Sequence, residues 1–517
     1  MIIELSMPAS PLVKRTANAR TTARVRGTSA QGCPHGHSKP ARLLQPSPVG
    51  FRFFAWVGRP SGAASAPSNA VSRATVTSVR SAFAASALAL LLAATPAVSA
   101  DSPARSVCPE AVPSGTSCYA GQDRNGAHYL IAIPEGWNRV LVIHARGGPY
   151  LKHLGAERSE EDATRWVIWL KQRYAYAASQ YRRGGYGVLM AAEDTENLRR
   201  FFVETFGQPR LTILHGQSWG GLVGARTVEL FGQGAGGRQN YDAALLSSGM
   251  LAGAPRTYDF RLDLRAVYQY YCGNHPRPGE PQYPLWMGLP AGSKMTGADL
   301  RARVNECTGA DLPAEKRSEA QRRKLANIAA VVRIPESSLQ GHMNWATFMF
   351  ADIVHDRLGN RDPFGNVGVR YAGADDDDAL NAGVARYRAD PDGVAALVAD
   401  SEPTGRTAVP TLTVHAVGDP TAFVENESAY RVIRERAGTQ DHLVQTFTDE
   451  SVHSYLAAPE YAALMDALIA WVDRGSKPEV DDIAMRCEKY LARYGENCRF
   501  QRAYRPASMD SRSYPRK

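Results

Sequence analysis

The sequence predicts an α/β fold, a mainly parallel sheet covered by helices on both faces and carrying one large insertion. Three observations predict it. Short apolar runs of strand length recur at 128–134, 140–146, 175–181, 210–216, 242–248, 410–417 and 442–448, with helical patterns between them. One of them, Leu211-Thr-Ile-Leu-His-Gly-Gln217, passes directly into a tight turn and then an apolar-faced helix from Trp219 to Phe231. Residues 250–406 interrupt this alternation between the fifth and sixth of these runs.

The first hundred residues stand apart. Residues 1–70 are rich in Arg, Pro and Ser without periodicity, and the segment at about 71–100 has the three parts of a secretory signal. Arg73 and Arg80 flank a basic start, Ala82 to Ala94 form an apolar core, and Val98 and Ala100 precede the expected cleavage before Asp101. That apolar core is too short to span a bilayer, so export to the periplasm or the exterior is expected without a stable membrane anchor. The whole chain carries 60 Lys or Arg and 51 Asp or Glu. Eleven of those bases and one acid lie in residues 1–100, leaving 49 bases and 50 acids beyond them. The basic balance therefore belongs to the leader and gives no reason to expect a nucleic-acid partner.

Within the remainder, 101–249 and 407–478 are expected to build the sheet domain, 250–406 a cap, and 479–517 a C-terminal tail with a disordered end after Arg499. Six cysteines remain after the leader is removed: Cys108, Cys118, Cys272, Cys307, Cys487 and Cys498. An even number in an exported chain implies disulfides, and these six fall as sequence-local pairs, 108–118, 272–307 and 487–498. Each pair is expected to staple a peripheral loop. No Cys-x-x-Cys spacing suggests a metal, and the Asp375–Asp378 run lacks the spacing of a calcium loop and reads as solvated.

The chemistry-bearing pattern begins at Gly216-Gln-Ser-Trp-Gly220. Gly-x-Ser-x-Gly occurs by chance in chains of this length, but here it joins a buried strand to a helix. Such a turn holds the serine hydroxyl above the sheet edge, and the glycines on either side remove side chains that would collide. Ser218 is the candidate nucleophile, and the Trp219 N–H can face a developing oxyanion. Pro410 to Val417 is a later strand followed by Gly418-Asp419-Pro420, which makes Asp419 the candidate acid despite its ordinary look as a turn residue. Only His442 and His453 follow it. His442 opens the last strand, whereas His453 comes just after it, so His453 is the candidate base. Upstream, Val140 to Ala145 runs into Arg146-Gly-Gly-Pro149, where Gly147 is the candidate for a second oxyanion N–H, with Gly148 or Arg146 one step away.

These elements resemble the α/β-hydrolase superfamily from about residue 125 to 475, in the chain order Ser, Asp, His. The pair Arg-Gly-Gly-Pro and Gly-Gln-Ser-Trp-Gly-Gly is similar to secreted esterases and to the prolyl aminopeptidase branch. That branch's His-Gly-Gly-Pro-Gly loop has Arg146 at its His and Tyr150 at its last Gly here. The resemblance implies a secreted serine hydrolase without cofactor or metal, acting on a small-molecule ester or, alternatively, on a short peptide. A third reading is a non-catalytic binding protein of the same fold. In the cap, the Tyr268–Trp286 stretch is the expected pocket lining, and Trp345, Phe348, Met349 and Ile353 the buried stripe of a helix.

Overall fold

The computed structural model describes residues 103–516; the expected leader, with its expected signal segment and Cys33, lies outside the described residues. Nine strands form one sheet: β1 (Arg105–Ser106), β2 (Ser117–Gln122), β3 (His128–Ile133), β4 (Val140–Ala145), β5 (Ala175–Ser179), β6 (Leu211–Gln217), β7 (Ala243–Ser247), β8 (Thr411–Ala416) and β9 (Leu443–Thr448). Their spatial order is β1-β2-β3-β5-β4-β6-β7-β8-β9. β1, β2, β3 and β5 pair antiparallel, and every pairing from β5 through β4 to β9 is parallel. A mainly parallel sheet with this crossover order and helices on both faces is the α/β-hydrolase fold.

The central strands are buried on both faces, which explains their almost unbroken apolar runs. In β4, Val140 and Val142 join a cluster with Trp169, Tyr461, Leu464 and Leu468 on one face, while Leu141 and Ile143 meet Leu198, Phe202 and Val228 on the other. That alternation is the two-residue period of a strand. The helix Trp219–Phe231 lies tight on the sheet, because a Cβ on Gly224 would sit 2.9 Å from Leu246 Cδ2.

The polypeptide between β7 and β8 contributes no strand to the sheet among the described residues. It forms the helices Ala254–Cys272, Gly297–Thr308 and Glu319–Val332, followed by π-helical turns at Trp345–Met349 and Asp352–Arg357. Leu264, Val267, Tyr268, Val304, Ile328 and Val331 give this cap a core of its own.

Several expectations need correction. β1 and β2 were not among the expected strands, because Ser117-Cys-Tyr-Ala-Gly-Gln122 has little apolar periodicity and gains its order from pairing with β3. All three cysteine pairs are bonded as disulfides. Cys118 lies in β2, however, so the first bridge ties the N-terminal segment to the sheet itself rather than closing a peripheral loop. The second joins two cap helices, and the third anchors the helix Val480–Tyr494.

The end after Arg499 is ordered rather than disordered. Phe500 bridges Thr448, and the Gln501 N–H donates to the Phe447 carbonyl at 2.8 Å. Farther on, the Tyr514 hydroxyl donates to the Val331 carbonyl at 2.9 Å, and Arg516 pairs with Asp263 at 3.1 Å. Two of the arginines that suggested a free end, Arg512 and Arg516, are the partners of the buried acids Glu425 and Asp263.

Two cap expectations also change. Tyr268 is buried in the cap core, where its hydroxyl donates to Asn274 Oδ1 at 2.8 Å, so it lines no pocket. Met349 and Ile353 are buried, but Trp345 and Phe348 are only half-buried, because the π-turn rotates them off the stripe. The Asp run is mostly exposed, as expected; there Asp375 meets the exposed Arg323, and Asp376 caps the helix Asp377–Gly383.

Candidate active site

The turn at Ser218 is built by steric necessity. Ser218 has φ 59° and ψ −125°, a conformation L-residues seldom adopt. A Cβ on Gly216 would lie 2.4 Å from the Gly220 carbonyl oxygen, and one on Gly220 would lie 2.1 Å from that of Ala145. Only glycines let the helix start so close to both β6 and the end of β4. The Ser218 N–H is tied to the Ser247 carbonyl at 2.9 Å, which fixes the elbow to the neighbouring strand.

Asp419 and His453 reach this turn from the ends of β8 and β9. The two loops are laced together by the Val417 N–H to Thr448 carbonyl and the Gly418 N–H to Glu450 carbonyl bonds, at 2.9 and 2.8 Å. His453 Nε2 lies 2.7 Å from Ser218 Oγ, and its Nδ1 lies 2.8 Å from Asp419 Oδ2. With the imidazole neutral, Nδ1–H donates to Asp419 and Nε2 is free to accept the serine proton. Asp419 Oδ1 accepts from the Thr421 and Ala422 N–H groups at 2.8 and 3.0 Å, so both carboxylate oxygens are held. His442 ends a short turn before β9, at the far end of that strand from His453.

Gly147 packs against the residue preceding the serine: a Cβ there would lie 2.5 Å from Gln217 Oε1. Its carbonyl accepts from Arg146 Nη1 at 2.9 Å, and the buried Arg146 guanidinium stacks between the Tyr181 and Tyr150 rings. The Gly147 and Trp219 N–H groups donate to no protein acceptor among the described residues. Trp219 itself is buried against Tyr181 and Tyr186.

A second histidine stands behind the acid, and the sequence reading missed it. His415, buried in β8, donates from Nε2 to the Ala422 carbonyl at 2.6 Å. The same nitrogen is 3.5 Å from Asp419 Oδ2, and Nδ1 is 3.4 Å from Glu427 Oε1. Glu427 is in turn held by Thr413 Oγ1 and Gln445 Nε2. Burial works against a charged His415, but the hydrogen bonds and charges of Asp419 and Glu427 prevail and raise its pKa to about 10. Burial likewise opposes the charge on Asp419, yet the attraction of a protonated His453 and the bonds from His415 and His453 hold its carboxyl below the usual range. The signal in the sequence was a histidine four residues before the acid in a strand, which alone reads as core.

This arrangement makes stability pH-dependent. The His415 pKa is raised on folding, so its contribution is fully present below about pH 6.5 and is lost as pH rises through about 10. Wild-type Tm should fall across that window by on the order of 5 °C more than that of His415→Gln. Parallel thermal melts of the two proteins from pH 6.5 to 10 check this, and equal slopes would show His415 to be neutral.

No protein-family model matches the chain, and no curated protein matches it. Among solved structures it is similar to a hormone-sensitive lipase from a metagenome library, at 12% identity over 74% of this chain and 87% of that one, with a TM-score of 0.33. A Pyrococcus furiosus esterase is similar at 11% identity over 76% and 97%, with a TM-score of 0.34. The rice cell wall degrading esterase LipA from Xanthomonas oryzae is similar at 16% identity over 69% and 89%, with a TM-score of 0.31. The chemistry below rests on the geometry of Ser218, His453 and Asp419.

Proposed function

We propose that this chain is an exported serine hydrolase that cleaves carboxylic esters through an acyl-enzyme. The observation that carries this reading is the continuous relay from Ser218 Oγ through His453 to Asp419, with 2.7 and 2.8 Å links, at a strained elbow. Attack of Oγ on the ester carbonyl passes the serine proton to His453 Nε2, and Asp419 stabilises the imidazolium. The Trp219 and Gly147 N–H groups take the oxyanion, and His453 returns the proton to the departing alcohol. Water, deprotonated by the same histidine, then releases the acid. Three disulfides fit a non-reducing compartment, which supports export.

An aminopeptidase of short peptides would use the same triad but needs free acidic groups for the substrate amine. Of the buried cap acids, Asp259 and Asp263 are paired with Arg516 and Asp352 with Arg357, while Asp362 has no arginine or lysine partner and accepts from the Phe364 N–H at 2.8 Å. Asp400 is committed to the Val188 and Leu189 N–H groups. The ester reading is therefore the stronger one. A panel of short- and long-chain 4-nitrophenyl esters beside aminoacyl anilides tests it. Turnover of the esters alone is expected, and turnover confined to the anilides would refute it.

A further inference from the structure

We propose that Arg261 is a specificity-determining anchor for a carboxylate carried on the substrate, so that the favoured esters are anionic ones. This inference rests on the ester-hydrolase reading for its kinetic arm only. Arg261 lies on the cap helix Ala254–Cys272 and is buried, with 1% of its surface exposed. Its one hydrogen bond to protein is a long one, 3.4 Å from Nη1 to the Thr257 carbonyl of its own helix. The solvent-shielded Nε donates to nothing, and Arg261 belongs to no ion pair among the described residues. Burial lowers its pKa to about 10, which leaves the group cationic at neutral pH.

Other buried arginines of this fold have more partners, although Nε of Arg146, Arg226 and Arg265 is also without one. Arg199 pairs with Glu196 and Arg226 with Glu229, at 2.7 and 2.6 Å. Arg434 has no acid but sits in a cage of oxygens from Thr407, Thr411, Tyr430 and Thr439. Arg265, one turn along from Arg261, donates to Thr347 Oγ1 at 2.7 Å and to the His275 carbonyl at 3.3 Å. Arg261 has aromatic rings instead, with Tyr258, Phe260 and Trp345 centred 4.8, 4.8 and 5.2 Å from its guanidinium carbon. Aromatic faces stabilise a cation but take none of its hydrogen bonds, so the fork stays open to a planar anion.

The position suits a substrate contact. Tyr258 packs on Tyr186, and Tyr186 on Trp219, the residue after the nucleophile. On the other side Phe260 packs on His342, whose Nε2 donates to the carbonyl of Pro420, next to the acid. Arg261 is thus joined through two side chains to the residue after the nucleophile and through two others to the Asp419 loop. The half-buried Trp345 borders it, presented by a π-turn of the sort frequent at functional sites. A single guanidinium between apolar walls neutralises one negative charge. A carboxylate matches that, whereas a phosphate dianion would leave a buried charge unpaired.

The test compares 4-nitrophenyl butyrate with the mono-4-nitrophenyl esters of succinate, glutarate and adipate, which carry a terminal carboxylate at three reaches. At least one anionic ester should exceed the neutral one in kcat/KM in the wild type, and Arg261→Met should lower that ratio ~10-fold or more. Arg261→Lys should fall between them, since an ammonium lacks the fork. Because the ratio is taken within one protein, partial loss of fold cancels. A binding arm needs no turnover: calorimetry on Ser218→Ala with 4-phenylbutyrate and 4-phenylbutyramide should show the carboxylate binding ~10-fold tighter, and addition of Arg261→Met should abolish the difference. If the binding preference is present but no ester is hydrolysed, the anchor stands and the ester reading falls. An unchanged ratio and equal binding, together with a lowered Tm in Arg261→Met, would make Arg261 a packing cation and overturn the proposal.

Discussion

Ser218→Ala should leave the fold intact and lower kcat on esters at least ~10³-fold, because only binding and the oxyanion site remain. The hydroxyl's hydrogen bond is to His453 Nε2, so its removal strands no other buried group. The elbow does not depend on the hydroxyl either, since the Ser247 carbonyl and the flanking glycines hold it through the backbone. Circular dichroism and Tm close to wild type, with fluorophosphonate labelling abolished, are the expected results. Equal labelling of the variant would remove Ser218 from the mechanism.

His453→Ala should be nearly as damaging, ~10³-fold or more in kcat, since the serine then has no acceptor for its proton. Asp419 would also lose the partner of its Oδ2 and face only His415 on that side. His442→Ala should stay within ~2-fold of wild type, because a six-residue strand separates it from the elbow. Ester kinetics on the two variants distinguish them. The reverse order would mean that the base reaches Ser218 from the other end of β9, against the 2.7 Å contact.

The sheet and the Ser-Asp-His constellation were legible because each is written in local pattern. Strands β3 to β9 bury nearly continuous apolar runs, and the elbow needs small residues at fixed offsets from Ser218. Chain order then left only two histidines to weigh, and the end of the last strand separated them. The three disulfides were legible for a similar reason: their partners lie 10, 35 and 11 residues apart, so short loops bring them together.

What the sequence did not disclose depends on contacts between distant residues. β2 is largely polar, and it is a strand because β1 and β3 offer it ladders on either side. The C-terminal arginines looked like a free tail until Arg516 met Asp263, 253 residues away in sequence. His415 became part of the site only when Glu427 and Asp419 closed on it from either side. Arg261 reads as an ordinary polar position in a helix, and its lack of an acidic partner emerges only from the packing around it. Local pattern determines backbone conformation, since propensity and periodicity act over a few residues. The balance of buried charge is a property of the whole packed interior, and folding alone reveals which group is left over.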